Sequence, residues 1–194
     1  FERSWIVVTS DHGEEFLEHG GMLHSQPYEE TARVPLIVRP PGGIDHRRLR
    51  EPVGLVDLAP TLLEGVGVDI PAAFEGRSLV AVMETRESTP PPVLWTGLEG
   101  PDYPPSKRIA VRHGPHTLVT SEGFVRVELY EHDTDPHQKE DIAAQEPDTS
   151  QELRGLAMRF YEEQLERGRG RDSEAVTPSE DDMEKLRALG YLGS

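Results

Sequence analysis

The stretch SDHGEEFLEHGGMLH (Ser10–His24) gathers Asp11, His12, Glu14, Glu15, Glu18, His19 and His24, with Gly13, Gly20 and Gly21 between them. At Asp11 and His12 a carboxylate and an imidazole stand side by side, an oxygen and nitrogen pair suited to a divalent cation. Gly13 lets the backbone pass close to a ligand. A loop through Gly20 and Gly21 can return His24 to that pair, although a separation of 12 residues exceeds one helical face. The same residues also fit a plain surface turn in which Asp11 caps a following helix. Other chemistries fall away. A helical HExxH zinc site needs histidines at i and i+4, and the sequence has no such pair. Ser10, Asp11 and His12 are neighbours, so an extended chain turns them to opposite faces rather than into a triad. DTDPHQKED (Asp133–Asp141) lacks the sixth-position Gly and the twelfth-position Glu of an EF-hand, and reads as a turn with an N-cap before a short helix.

Placing these groups requires a scaffold. WIVVTS (Trp5–Ser10) is a short apolar run rich in β-branched residues, the pattern of a strand buried on both faces of a parallel α/β sheet. The polar segment begins at its carboxyl end, where open α/β sheets carry their sites. RVPLIVRPPGG (Arg33–Gly43) reads as a second strand stopped by Pro40 and Pro41. Arg33 is read as structural, a partner for Glu29 or Glu30. VGLVDLAPTLLEGVGV (Val53–Val68) has helical spacing, with Asp57 as N-cap and Pro60 in the first turn. A loop-rich stretch including FEGRSL follows, from Pro71 to Pro92. VLWTGL, RIAVRH, HTLVTS and FVRVELY then read as short strands of a small antiparallel sheet. Leu153, Leu156, Ala157, Phe160, Tyr161 and Leu165 form one stripe of a helix ending at Gly168. A last helix is capped by Ser179 and stopped by Gly190, with Tyr191 and Leu192 beyond.

Composition narrows the function. With 36 acidic and 20 basic residues the net charge is -16, which repels nucleic acid and anionic lipid. No apolar stretch approaches the roughly 18 residues of a membrane span. The absence of cysteine excludes disulfides, thiolate metal sites and a cysteine nucleophile within these residues. The 17 Pro and 18 Gly point to a loop-rich fold rather than a helical bundle.

Taken in order, Val7–Gly42, Val53–Leu79, AVRHGPHTLV, ELYEHDTDPHQKEDIA and KLRALGYLG resemble the carboxyl-terminal half of a sulfatase of the alkaline phosphatase superfamily. The resemblance implies an α/β fold, part of a mixed central sheet with flanking helices, followed by a small antiparallel sheet packed on a helix. It divides the chain at 1–92, 93–167 and 168–194. It gives Asp11 and His12 the role of metal ligands, for Ca²⁺ foremost and Mg²⁺ or Mn²⁺ as alternatives. It makes His24 the catalytic basic residue on the substrate's anionic group, with His19 as second candidate. It also implies a small-molecule or carbohydrate sulfate ester as substrate and a periplasmic or secreted location. The family's nucleophile motif, C/S-x-P-S/A-R, and its paired metal aspartates belong to the amino-terminal half. They are absent here, and YPPSKR (Tyr103–Arg108) holds Tyr at the nucleophile position. The expectation is therefore a chain that is inactive alone. Phosphodiester or phosphonate hydrolysis within the superfamily, and a non-catalytic accessory domain, are the alternatives.

Overall fold

The computed structural model describes residues 2–24, 26–46, 48–49, 52–85, 93–96, 108–168 and 179–188. Strand β1 (Ile6–Val8) pairs antiparallel with β4 (Ile37–Arg39), Val8 opposite Ile37. Between them lie a hairpin of β2 (Glu15–Phe16) and β3 (Met22–Leu23) and a single helical turn, α1 (Glu29–Ala32). This corrects the expectation of a parallel strand buried on both faces. An apolar run signals that a strand needs cover but not the sense of its neighbour, and here Val8 and Ile37 remain 53% and 62% exposed.

A 3₁₀ turn (Leu55–Asp57) leads into α2 (Leu58–Gly65), with Pro60 buried in its first turn as expected. Asp57 stands at the N-cap position but its carboxylate does not cap α2. It accepts from the Gly54 N–H at 3.0 Å and the Arg77 N–H at 2.9 Å, tying the FEGRSL loop to the helix start. That loop continues into α3 (Val80–Thr85), a helix within the stretch read as loop-rich.

The four-stranded antiparallel sheet forms as its alternation predicts: β5 (Val93–Thr96), β6 (Ile109–His113), β7 (His116–Thr120) and β8 (Val127–Glu131), in that spatial order. Its register aligns Val111, Leu118 and Leu129 on one face, all fully buried. Ala110, Val119 and Tyr130 lie on the other face and cluster with Tyr28, so the segment entering α1 is seated on the small sheet. Fully burying a valine or leucine side chain contributes about 1.5–3 kcal/mol.

The residues after β8 make turns up to Pro147 rather than the short helix expected there. Helix α4 (Pro147–Gly168) ends at Gly168 as predicted, with Leu153 and Ala157 of its stripe buried. Phe1–Phe160 form one compact unit and Tyr161–Ser194 a second. The second contains α5 (Glu180–Ala188), where the Ser179 Oγ accepts from the Asp182 N–H and the Asp182 carboxylate accepts from the Ser179 N–H, a reciprocal cap. YPPSKR apart from Arg108, the linker at 169–178, and Gly190 with the residues beyond it lie outside the described residues.

Candidate metal and anion site

No helix follows Asp11; the chain bends there and runs without regular structure through Glu14 into the hairpin, so the helix-cap reading of Asp11 fails. Gly13 donates its N–H to the Thr31 carbonyl at 2.7 Å and Glu14 donates to the Glu30 carbonyl at 3.0 Å. A Cβ on Gly13 would run into the Glu30 carbonyl, so only glycine allows this approach. The hairpin turns on Gly20 at φ 80°, while Leu17 and Leu23 adopt left-handed backbone at φ 72° and 71°. For leucine such a conformation costs on the order of 1–3 kcal/mol and persists only where neighbours impose it. Leu23 immediately precedes His24, and the bend there returns that imidazole to the exit of β1.

The fold therefore brings His12 and His24 together, their ring centroids 4.2 Å apart. Glu14 joins them: its Oε2 lies 3.8 Å from His24 Nδ1, and one donor atom from each of His12, Glu14 and His24 falls within 4.8 Å of the others. Asp11 sits at the rim with its side chain 83% exposed, its Oδ2 3.7 Å from His12 Nε2. The backbone N–H groups of Asp11 and His12 hold the Asp11 carboxyl below the usual carboxylate range. The His12 Nδ1 hydrogen-bonds the Gly13 carbonyl at 2.8 Å, which makes Nδ1 the donor and leaves Nε2, 3.7 Å from Asp11 Oδ2, as the ligand nitrogen. Asp11 and His12 thus fit two neighbouring ligands of one ion. Glu14 was missed by sequence reasoning because its signal is long-range: the hairpin returns His24 to within 3.8 Å of its carboxylate.

His19 lies elsewhere. Its Nδ1 contacts Glu30 Oε1 at 2.6 Å, its Nε2 contacts the Gln138 carbonyl at 2.8 Å, and its ring stacks on Tyr28 at 3.8 Å. Both nitrogens are engaged, so His19 is a brace and not the anion ligand. Glu29 and Glu30 do not pair with Arg33: Glu29 bonds Arg112 at 3.1 Å and Glu30 bonds His19. Gln138, itself buried, accepts the Glu29 N–H on its Oε1 at 2.8 Å, and Lys139 Nζ donates to the Glu18 carbonyl at 2.5 Å. The turn after β8 thereby holds both the hairpin and α1, through pairs more than 100 residues apart in sequence.

Comparison with known proteins gives the chain a family. The family described as N-sulphoglucosamine sulphohydrolase, C-terminal, matches residues 18–164, well over half of the chain. Arylsulfatase K of Xenopus laevis is 29% identical over 160 residues, covering 78% of this chain and 30% of that protein. N-acetylglucosamine-6-O-sulfatase of Bacteroides thetaiotaomicron is 41% identical over 86 residues, 44% of this chain and 15% of that protein. A solved structure in complex with its substrate D-glucosamine-2-N,6-O-disulfate superposes with a TM-score of 0.61 at 25% identity, covering 89% of this chain and 36% of that one. The chain thus spans less than a third of the length of these two curated relatives. Fold, ordered motifs and family match agree, and the chain belongs to the carboxyl-terminal domain family of N-sulphoglucosamine sulphohydrolase, within the sulfatases.

Proposed function

We propose that this chain is the carboxyl-terminal portion of a metal-dependent sulfatase that hydrolyses sulfate esters of an amino sugar, with its nucleophile supplied by residues outside these 194. The convergence of His12 and His24 beside Asp11, in a chain of this family, carries the reading. The sugar is suggested by the N-acetylglucosamine-6-O-sulfatase relative and by the glucosamine disulfate in the structural neighbour. A periplasmic or secreted location accords with such a substrate.

Asp11 and His12 would hold the divalent cation, Ca²⁺ foremost and Mg²⁺ or Mn²⁺ as alternatives. Because Ca²⁺ takes about 6–8 ligands, predominantly oxygen, the Asp11 carboxylate and the single His12 nitrogen would form only part of the set, with further oxygens from protein and water. When bound, the ion supplies positive charge that polarises the sulfuryl oxygens. The Asp11 carboxylate, kept ionised by its backbone donors, presents the matching negative charge. His24 binds an anionic oxygen of the ester through a ring N–H or gives a proton to the departing alkoxide. Glu14 at 3.8 Å from His24 Nδ1 orients that ring.

Assay of the full-length protein with glucosamine 6-sulfate and Ca²⁺ tests the reading. Hydrolysis is expected, falling by roughly 10²–10³ in kcat when Asp11→Ala removes a charge-stabilising group. The 194-residue chain alone should show none, and turnover by it would sink the claim of an external nucleophile. Faster hydrolysis of a phosphonate monoester than of the sulfate would reassign the site to phosphorus chemistry.

A further inference from the structure

We propose that His12, Glu14 and His24 form a binding site for a borderline transition-metal ion of the Zn²⁺ class, distinct in donor set from the Asp11–His12 pair assigned above to a hard cation. Two imidazoles and one carboxylate are the donors that zinc, cobalt and nickel prefer, whereas Ca²⁺ selects oxygen. One donor atom from each residue lies within 4.8 Å of the other two. Ligand atoms on a tetrahedral zinc at its usual bond lengths stand about 3.4 Å apart. The 3.8 Å between Glu14 Oε2 and His24 Nδ1 is close to that spacing, so small side-chain rotations complete it.

The surroundings favour a metal over a chance cluster. The hydrogen bond from His12 Nδ1 to the Gly13 carbonyl is the orienting contact that metal-bound histidines use, and it leaves Nε2 as ligand. Glu14 is fixed by its own N–H bond to the Glu30 carbonyl, and Gly13 beside it cannot be replaced without a clash. The three ligand residues are half-buried or exposed, as an exchangeable ion requires.

The consequence rests on the function proposed above. An ion on these three residues takes His12 from the hard-cation site and His24 from the substrate, so the two modes exclude each other and zinc-class ions act as inhibitors.

Binding is measured on the 194-residue chain in metal-free buffer, by calorimetric titration with Zn²⁺ and Ca²⁺ and by the visible absorption of added Co²⁺. One Zn²⁺ per chain is expected, tighter than Ca²⁺, with Co²⁺ bands of a nitrogen and oxygen site of low coordination number. Glu14→Gln and His24→Gln should each weaken Zn²⁺ roughly tenfold or more, and Asp11→Asn by less than about threefold. Ca²⁺ binding more tightly than Zn²⁺, unchanged affinity in Glu14→Gln, or an Asp11→Asn loss equal to that of Glu14→Gln would each overturn the proposal. These readouts need no turnover, so they separate this site's failure from that of the sulfatase reading.

Discussion

Tyr28 shows how a single side chain can hold the site loop in place. Its hydroxyl donates to Glu128 Oε2 at 2.7 Å and accepts from Arg108, while Tyr130 donates to the same carboxylate oxygen at 3.0 Å and Arg126 pairs with the other oxygen at 3.0 Å. Glu128 is buried, so each donor offsets part of the cost of removing its charge from water. Burial, reinforced by the Glu128 charge, pushes the Tyr28 phenol up to about 12. Burial and the same carboxylate raise Tyr130 as well. Because the folded value lies above the unfolded 10.0, the contribution of protonated Tyr28 is intact below pH 10 and disappears as pH rises through about 12. Denaturant titrations of the chain should therefore show stability falling over that window. Tyr28→Phe should cost about 1–3 kcal/mol at neutral pH by removing one donor from a buried carboxylate. It should also flatten the alkaline decline, since the substituted ring has no proton to lose. A Phe variant with an unchanged alkaline slope would assign the decline to Tyr130 alone.

Among the elements, the β2–β3 hairpin is the one whose placement decides the site. It is braced by the buried Glu15, whose Oε1 accepts the Gln26 N–H at 2.6 Å, and by His19 against Gln138. At its base, Gly13 abuts the Glu30 carbonyl with no room for a methyl group. Gly13→Ala must push the strand exit away from α1 and separate His12 and Glu14 from His24. The expected result is a loss of at least about 1–3 kcal/mol, the range for lost buried backbone hydrogen bonds, together with loss of the Co²⁺ absorption. Gly20→Ala, where nothing lies within 4 Å, should retain that absorption although its φ of 80° strains it. Equal loss of absorption in both variants would contradict the role given to the Gly13 contact. The elements themselves were largely legible in the sequence, because a period of 2 or 3.6 and a cap are local properties. Thus α4 runs from Pro147 to Gly168 and the four strands of the small sheet pair in order, as their patterns imply. What could not be read was long-range or indifferent to pattern: the antiparallel sense of β1 and β4, the carboxylate of Asp57 reaching Arg77, and the grip of Gln138 and Lys139 on the hairpin. Asp11 and His12 were placed correctly at the strand exit, yet Glu14 joined the cluster only through backbone geometry.

On the scale of the whole molecule, apolar surface and net charge oppose each other. Trp5, Val7, Leu62, Leu63 and Phe74 line an open depression of about 610 Å³, and Val8 and Ile37 lie exposed on the β1–β4 ribbon. Among the described residues no further strand pairs with this ribbon, and a two-stranded ribbon with exposed apolar residues is a template for further pairing. In a full-length sulfatase of the kind proposed, the rest of the central sheet would cover it. In the isolated chain the surface favours self-association, while the charge of -16 resists it. Screening decides the balance: repulsion reaches roughly 30 Å at 0.01 M salt and only about 8 Å at 0.15 M. The chain should therefore sediment as a monomer at low salt and as larger species at physiological salt, binding a hydrophobic dye under both conditions. Val8→Lys combined with Ile37→Glu places opposite charges at paired ribbon positions and should restore the monomer at 0.15 M salt. If the unmodified chain is monomeric at both ionic strengths and binds no dye, its exposed ribbon needs no covering half, and the accessory-domain reading gains the ground that the sulfatase reading loses.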